Sequence, residues 1–183
     1  MINTMNKHFL SKKLLGKYVN LREITLDDAQ FVLDLRCDSN KSKFLHQTEN
    51  NLDKQIEYIK SYFNKELEWY FIIEDLNHNP LGTLRIYDVC DNHYTSGSWL
   101  MKDGSTLAQA VEGVILFKDF AFNELGFDKD VFDVRKQNKK VLNFHKMCGA
   151  KIISEDQENY YFELTRETFN KKIPFLYKVI ENT

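Results

Sequence analysis

Two strand-like segments separated by one long helix are the feature that most limits how this chain can fold. Residues 94–101 and 130–134 have the composition of β-strands, and an apolar stripe typical of a core-facing helix lies between them. Thr106 and Gln109 have the spacing of a capping box, and Gly126 suits the end of that helix. Strand, helix and strand at this spacing predict a parallel pair joined by a right-handed crossover.

A second junction between a strand and a helix follows at once. The β-rich run ends at Val134, and Asn138 then opens a helix that Gly149 closes eleven residues later. Asparagine is a preferred N-cap residue, and glycine is the usual residue just past a helix. The chain is therefore predicted to turn sharply from the second parallel strand into another helix.

Shorter patterns predict the remaining elements. Strands are expected at 19–23, 69–74 and 83–89, a hairpin at 151–154 and 160–164, helices at 25–37 and 52–63, and a loop at 40–49. Residues 165–180 are predicted to be helical in part, with Pro174 interrupting. The resulting order is β-α-α-β-β-β-α-β-α-β-β, which predicts an α/β chain with a mixed sheet.

The composition excludes several classes of protein. The chain has 183 residues, about one domain's worth, and its net charge of −2 argues against a general nucleic-acid binder. No apolar run is long enough for a membrane span, and residues 1–13 lack a signal segment, so a cytoplasmic protein is expected. A loose tail at 1–16 should precede one domain at 17–183. The three cysteines favour reduced thiols over a disulfide framework or a metal site.

Together, the element order and the Asn138-to-Gly149 helix resemble the GNAT superfamily of acyl-CoA N-acyltransferases. The resemblance covers residues 17–164, and within the superfamily it is greatest to ribosomal-protein N-terminal acetyltransferases and small-molecule N-acetyltransferases. It implies a twisted mixed sheet whose two central parallel strands, at 94–101 and 130–134, splay apart. The pantetheine arm of acetyl-CoA would then lie along the first of them, at Trp99, Leu100 and Met101.

The resemblance also implies a pyrophosphate site in the loop before the long helix. The family's glycine-rich loop corresponds here to residues 102–108, in which Gly104 alone remains of the glycine pair. Lys102, Ser105 and Thr106 offer a charge and hydroxyl donors at a helix N-terminus, where anions are favoured. Asn138 would add a contact to the cofactor. Lys139 and Lys140, in the first turn of the next helix, oppose its dipole, and a bound phosphate of CoA would offset that cost. The alternatives are an ordinary capped helix and lysines that are simply solvated.

Catalytic candidates follow from the same comparison. His145 lies seven residues after Asn138, where many family members have a tyrosine that acts as general acid. An imidazole can also protonate a leaving thiolate, although Phe144 could face the cleft in its place. Ser98, on the first parallel strand, is a further candidate for the acid, and for the base Asp88, Asp91 and His93 flank that strand. Direct loss of the proton to water is the alternative.

The resemblance also implies an acceptor site in the segment between the first two helices. Basic residues lie in or near it, and aromatic residues are close in sequence: Arg36, Lys41, Lys43, His46, Arg85, Phe44 and Trp69. Basic and aromatic side chains together suit an anionic acceptor with a ring, such as an amino-sugar nucleotide. A solvated loop with scattered lysines is the alternative.

These observations predict an acetyl-CoA-dependent N-acetyltransferase that acts on a small primary amine by direct attack in a ternary complex, without a metal. Its partners should be small molecules, and the protein a monomer or homodimer. One alternative is a GNAT-fold protein that binds acyl-CoA or regulates but has lost catalysis, in keeping with the incomplete glycine loop. Another is a protein N-terminus acetyltransferase.

Overall fold

The computed structural model describes residues 12–42, 44 and 48–182, and these build one sheet of eight strands with helices on both faces. The strands are β1 (Leu14–Leu15), β2 (Asn20–Glu23), β3 (Trp69–Glu74), β4 (Pro80–Cys90), β5 (His93–Met101), β6 (Lys129–Arg135), β7 (Lys151–Glu155) and β8 (Asn159–Thr165). Across the sheet they lie in the order β1-β2-β3-β4-β5-β6-β8-β7. The predicted mixed α/β fold is confirmed.

Six α-helices accompany the sheet in the described part of the chain. They are α1 (Ala29–Cys37), α2 (Ser39–Ser42), α3 (Leu52–Tyr62), α4 (Leu107–Asp119), α5 (Lys139–Met147) and α6 (Arg166–Glu181). The predicted caps are present: Thr106 and Gln109 form a capping box, and Asn138 accepts from the backbone of Val141. None of the described helices combines the length and the apolar character that a bilayer span requires.

The core has one layer on each side of the sheet. On one face α4 and α6 cover buried aromatic residues such as Phe71 and Phe162, and on the other α1 and α3 cover Tyr70 and Ile72. The alternation along β3 explains this division, because successive side chains of a strand point to opposite faces. β3 is therefore buried on both sides.

The pairing of β5 with β6 is parallel and short. It joins His93 to Lys129 and Tyr94 to Asp130 and ends there, although both strands continue. On its other edge β6 pairs along its whole length with β8. The two central strands therefore splay apart after Tyr94.

The described part of the predicted tail, residues 12–16, is attached to the sheet. Leu14 and Leu15 pair with β2, and the carboxylate of Glu112 on α4 accepts from the backbone N–H groups of residues 17, 18 and 19 at 2.9, 2.5 and 3.0 Å. Glu112 is fully buried, where a carboxylate needs hydrogen-bond donors, and these three N–H groups supply them. The start of the described chain is thereby held to α4.

Three other features differ from the predictions. The predicted loop at 40–49 begins with the short helix α2, and α4 runs into a π-helical turn, Phe120–Glu124, before Gly126. The prediction that Pro174 interrupts the last helix is wrong, because α6 continues through it. Phe169, Leu176 and Ile180, on both sides of the proline, bury one face of the helix, and this packing outweighs the hydrogen bond that proline removes.

Candidate active site

A cavity of about 380 Å³ lies where β5 and β6 separate. Residues from both faces of the sheet line it, so it passes between the two strands. Its lining includes Tyr87, Ser98, Trp99, Lys118, Asp133 and His145. An extended molecule entering here would meet the open edge of β5 on one side and β6 on the other.

The wall of the cavity on β5 is shaped by a β-bulge. Arg85 lies opposite Gly97 and Thr83 opposite Leu100, so β5 has one residue more than β4 over this stretch. Ser98 has a positive φ of 54°, and its carbonyl accepts from the Thr83 hydroxyl at 2.6 Å. Bulges redirect a strand and are common beside active sites. Here the bulge turns the backbone of β5 at the cavity.

His145 lies in the cavity wall that faces α4. Its side chain is 7% exposed, and its ring packs 4.3 Å from the ring of Phe132 and 6.2 Å from that of Trp99, between centroids. Burial, together with the nearby Lys118 ammonium, lowers the pKa of His145 well below its ordinary value. The imidazole is therefore uncharged at neutral pH. Its Nδ1 has no hydrogen-bond partner among the described residues.

A buried ion pair closes the cavity where the strands meet. Lys118 of α4 is 1% exposed, Asp130 of β6 is fully buried, and the Lys118 ammonium donates to the Asp130 carboxylate. The same carboxylate accepts from the backbone N–H of Ser96 at 3.0 Å and from its hydroxyl at 2.8 Å. Burial, reinforced by the charge of Asp130, raises the pKa of neighbouring Tyr94. The ion pair thus joins α4, β5 and β6.

The opposite face of the sheet brings polar side chains to the cavity. Asp133 lies opposite Tyr161 and Arg135 opposite Asn159 on the paired strands β6 and β8. Asp133 is exposed and is the single carboxylate among the described lining residues. Burial first, and Asp133 next, raise the pKa of Tyr87, so the carboxylate lies within electrostatic reach of that phenol across the cleft.

Behind Tyr87 lies Arg85, which the sequence assigned to the acceptor. Its guanidinium pairs with Glu68 and lies 5.5, 5.9 and 5.1 Å from the ring centroids of Tyr58, Tyr70 and Tyr87. Burial raises the pKa of Tyr70 to about 12, so this phenol stays protonated. The Nε of Arg85 has no partner among the described residues. The cluster is a cation with an aromatic surround next to the cavity.

Other predicted acceptor residues are more dispersed. Phe44 lines the cavity, while Arg36 donates from Nε to the Thr48 hydroxyl at 2.7 Å. Lys41 pairs with Asp38 and, at 2.9 Å, with Asp103 in the loop after β5. Lys41 therefore lies beside the predicted phosphate loop.

That loop leads from β5 into α4. Lys102 and Gly104 are exposed, and Gly104 has a φ of 85° with open space where a side chain would begin. The Ser105 hydroxyl is buried without a partner among the described residues, as is the indole N–H of Trp99 in the cavity. With Thr106 as N-cap, the loop presents polar groups at a helix N-terminus. Its residues fit a phosphate group of acetyl-CoA.

Trp99 lines the cavity, whereas Leu100 is buried and Met101 lies opposite Gly82 on β4. Of the residues on the next helix, Asn138 also lines the cavity.

Lys139 and Lys140 are exposed in the first turn of α5. Cations there oppose the helix dipole, which a bound phosphate would offset. Of the predicted cofactor residues, Trp99 and Asn138 line the cavity, and the others lie outside its lining.

Several predicted residues lie elsewhere. Asp91 lies in the turn between β4 and β5, His93 is the first residue of β5, and neither lines the cavity. Trp69 packs against Phe120 and Phe127, with ring centroids 6.5 Å away in each case. Phe144 packs against Trp99, with ring centroids 4.7 Å apart, and does not line the cavity. Lys43 and His46 fall outside the described residues.

Some residues of the site went unrecognised in the sequence, among them Asp133, Tyr87, Lys118 and Asp130. Asp133 lies at a polar position in the alternating pattern of β6, and Tyr87 at a similar position on β4. The pattern predicts the face of the sheet to which each side chain points, but not that both line one cavity. Lys118 and Asp130 carried a clearer signal, because both fall on apolar stripes of buried elements. Opposite charges at two core positions indicate a buried pair.

Comparisons with known proteins agree with this geometry. The sequence profile of the acetyltransferase (GNAT) domain matches residues 19–151. A solved structure described as apo FdhC, a nucleotide-linked sugar GNAT, is 34% identical, with a TM-score of 0.81 over 90% of this chain and 96% of that one. The comparison with curated proteins found no match.

Two further structures share the fold at low identity. The spermidine N-acetyltransferase from Vibrio cholerae, in complex with CoA and spermine, is 16% identical, with a TM-score of 0.76 over 85% of this chain and 99% of that one. A putative acetyltransferase from T. thermophilus is 14% identical, with a TM-score of 0.74 over 91% and 96%. Since the domain profile covers most of the chain, the resemblance seen in the sequence is confirmed, and the protein belongs to the GNAT family of acetyltransferases.

Proposed function

We propose that this protein transfers an acetyl group from acetyl-CoA to the amine of a nucleotide-linked amino sugar, by direct attack in a ternary complex. The observation that carries the proposal is the cavity between the splayed strands, with an apolar wall toward α4 and a polar wall containing Asp133 on the other face. Two substrates that enter from opposite faces would meet at the bulge of β5.

The donor side of the proposal rests on groups that need a partner. Ser105 and Trp99 each have a buried polar atom without a partner among the described residues, and Asn138 lines the same cavity. The pyrophosphate would bind at the start of α4, and the pantetheine arm would lie along β5 toward Ser98. Among the described residues there is no cluster of metal-binding side chains.

Asp133 is the group we assign to the attacking amine. A carboxylate at the polar wall attracts the ammonium form and then accepts its proton, which leaves the neutral amine to attack. The amine nitrogen bonds to the thioester carbonyl carbon to give a tetrahedral intermediate, its second proton passes to solvent water, and the carbon–sulfur bond then breaks to release the CoA thiolate. The Lys118 ammonium in that part of the cavity is paired with Asp130, so stabilisation of the thiolate falls to uncharged hydrogen-bond donors.

The general acid role of His145 stays a prediction. Its lowered pKa leaves the imidazole neutral, so it could stabilise the thiolate by donating a hydrogen bond.

The acceptor class follows from the Arg85 cluster and from one neighbour. The two cations of the described cavity lining, Lys118 and Arg135, are each paired with a carboxylate, so the charge of the lining does not by itself choose between acceptors. Arg85 and its tyrosines lie next to the same wall and could bind a diphosphate and a base. The 34% identical neighbour is described as a nucleotide-linked sugar GNAT.

A panel of acceptors tests the proposal. The protein is incubated with acetyl-CoA and, separately, with nucleoside-diphosphate-linked amino sugars, spermidine or a peptide with a free N-terminus, and release of free thiol is followed. We expect kcat/KM for an amino-sugar nucleotide to exceed that for spermidine by about 100-fold or more, which corresponds to about 3 kcal/mol of transition-state stabilisation. Faster turnover of spermidine or the peptide would overturn the acceptor assignment.

A further inference from the structure

The parallel ladder between β5 and β6 stops where side chains replace its backbone bonds. Tyr94 and Asp130 are the last paired residues, and the next N–H of β5 that points at β6 belongs to Ser96. In a continued parallel ladder that N–H would donate to a backbone carbonyl of β6. It donates instead to the side chain of Asp130, at 3.0 Å. The carboxylate thus lies where the next backbone bond would form.

Besides the Ser96 N–H, two further groups hold the carboxylate in that place. The Ser96 hydroxyl donates to it at 2.8 Å, and the Lys118 ammonium, on α4, donates to the same oxygen. Both charged side chains are almost completely removed from water. An isolated buried carboxylate would be strongly unfavourable, so Lys118 is what allows Asp130 to remain ionised between the strands.

We propose that Asp130, held by Lys118, is a positioning residue that stops the β5–β6 ladder at Tyr94 and keeps the cleft open for acyl-CoA. The inference rests on the proposed function, since acyl-CoA is taken as the ligand of the cleft. Asp130 does not touch the reacting atoms in this role. Its effect is to keep the Ser96 N–H from bonding to the backbone of β6.

A simple stabilising ion pair makes a different prediction. Replacing a buried pair with apolar residues of similar size is often neutral for stability or even favourable. If stability were the only role, such a replacement would leave the binding of CoA unchanged. If the carboxylate is a spacer, the replacement frees the Ser96 N–H to bond to β6, and the cleft narrows.

Two double variants separate these roles. Both contain Lys118→Met, which removes the ammonium, and they differ only at position 130. In Lys118→Met with Asp130→Asn, the amide oxygen can still accept from the Ser96 N–H. In Lys118→Met with Asp130→Val, no acceptor remains. The Kd for CoA is measured by calorimetric titration, and Tm is measured for both.

We expect the Asn variant to bind CoA within about 3-fold of the unmodified protein, and the Val variant to bind about 10-fold more weakly or worse at a similar Tm. Equal affinities in the two folded variants would overturn the spacer role. If the unmodified protein does not bind CoA, the proposed function fails instead, so the two failures are distinguishable.

Amide hydrogen exchange on the unmodified protein provides a test that needs no variant. Without CoA, the Ser96 N–H should exchange slowly, because it is half-buried and bonded to the buried carboxylate of Asp130, and CoA should not alter it. The backbone N–H groups beyond it on the open edge of β5 should exchange fast and become protected by CoA. Fast exchange at Ser96 in the free protein would contradict the proposal even if the Val variant did not fold.

Discussion

Asp133 is the single residue on which the proposed chemistry depends most. It lies on β6 facing the cavity, opposite Tyr161. Asp133→Asn keeps the size of the side chain and its hydrogen-bonding oxygen but removes the proton acceptor. We expect kcat to fall by about 100-fold or more, the usual contribution of general base catalysis, with the Kd for CoA unchanged. Steady-state kinetics and titration with CoA measure the two effects.

Glu163→Gln is the matched control for Asp133. Glu163 lies on β8 and pairs with Lys129, away from the cavity lining. This variant should keep full activity. If Asp133→Asn also kept full activity, the amine would lose its proton to water, and Asp133 would be left with a role in binding at most.

His145 has a consequence for stability that does not depend on catalysis. Its pKa is lowered in the folded protein by burial and by Lys118, so the unfolded chain binds a proton near pH 6.5 that the folded protein does not bind. Stability from this residue is therefore complete above about pH 6.5 and is lost as the pH falls toward the folded-state pKa. We expect a slope of about 1.4 kcal/mol per pH unit below pH 6.

Urea unfolding between pH 5 and pH 7.5 measures this slope. His145→Gln removes the titrating group, so its free energy of unfolding should fall less steeply with acidification than that of the unmodified protein. Parallel curves for the two proteins would show that His145 is protonated as easily in the folded state as in the unfolded chain.

At the scale of elements, Glu112 holds the start of the described chain to α4. Its carboxylate accepts from three consecutive backbone N–H groups, at residues 17 to 19. Glu112→Ala leaves these donors without an acceptor, and each buried unsatisfied group costs about 1–3 kcal/mol. We expect a loss of about 3–5 kcal/mol in the free energy of unfolding, measured in urea.

Two companion variants interpret that loss. Glu112→Gln keeps one accepting oxygen and should lose less than Glu112→Ala. Glu124→Ala removes an exposed carboxylate in the π-helical turn and should change the free energy of unfolding by no more than about 0.5 kcal/mol. A loss in Glu112→Ala as small as that in Glu124→Ala would mean that water satisfies the three donors.

For the whole molecule, local signals in the sequence predicted the order of elements well. The capping box at Thr106, the N-cap Asn138 and the strand-like run at 69–74 depend on neighbouring residues alone, and each appears in the structure as expected. The continuation of α6 through Pro174 was missed, because it depends on burial on both sides of the proline. Tertiary packing overrides local propensity in such places.

The site was less predictable than the fold for the same reason. Trp99, Asn138 and His145 were placed by resemblance and do line one cavity. Asp133 of β6 and Tyr87 of β4 line the same cavity, which opens where β5 and β6 separate, and no sequence pattern in those two strands shows that separation. Where a site is made by the divergence of elements, the residues that cause the divergence have to be known first.

The buried pair of Lys118 and Asp130 also restricts how this protein can evolve. The two residues lie on different elements and are encoded twelve positions apart, yet neither charge is tolerable without the other. A lineage that loses one by mutation passes through a protein with an unmatched buried charge, which costs about 3–5 kcal/mol and is selected against. We therefore expect related chains to have both charges or neither, so that the two positions change together by descent.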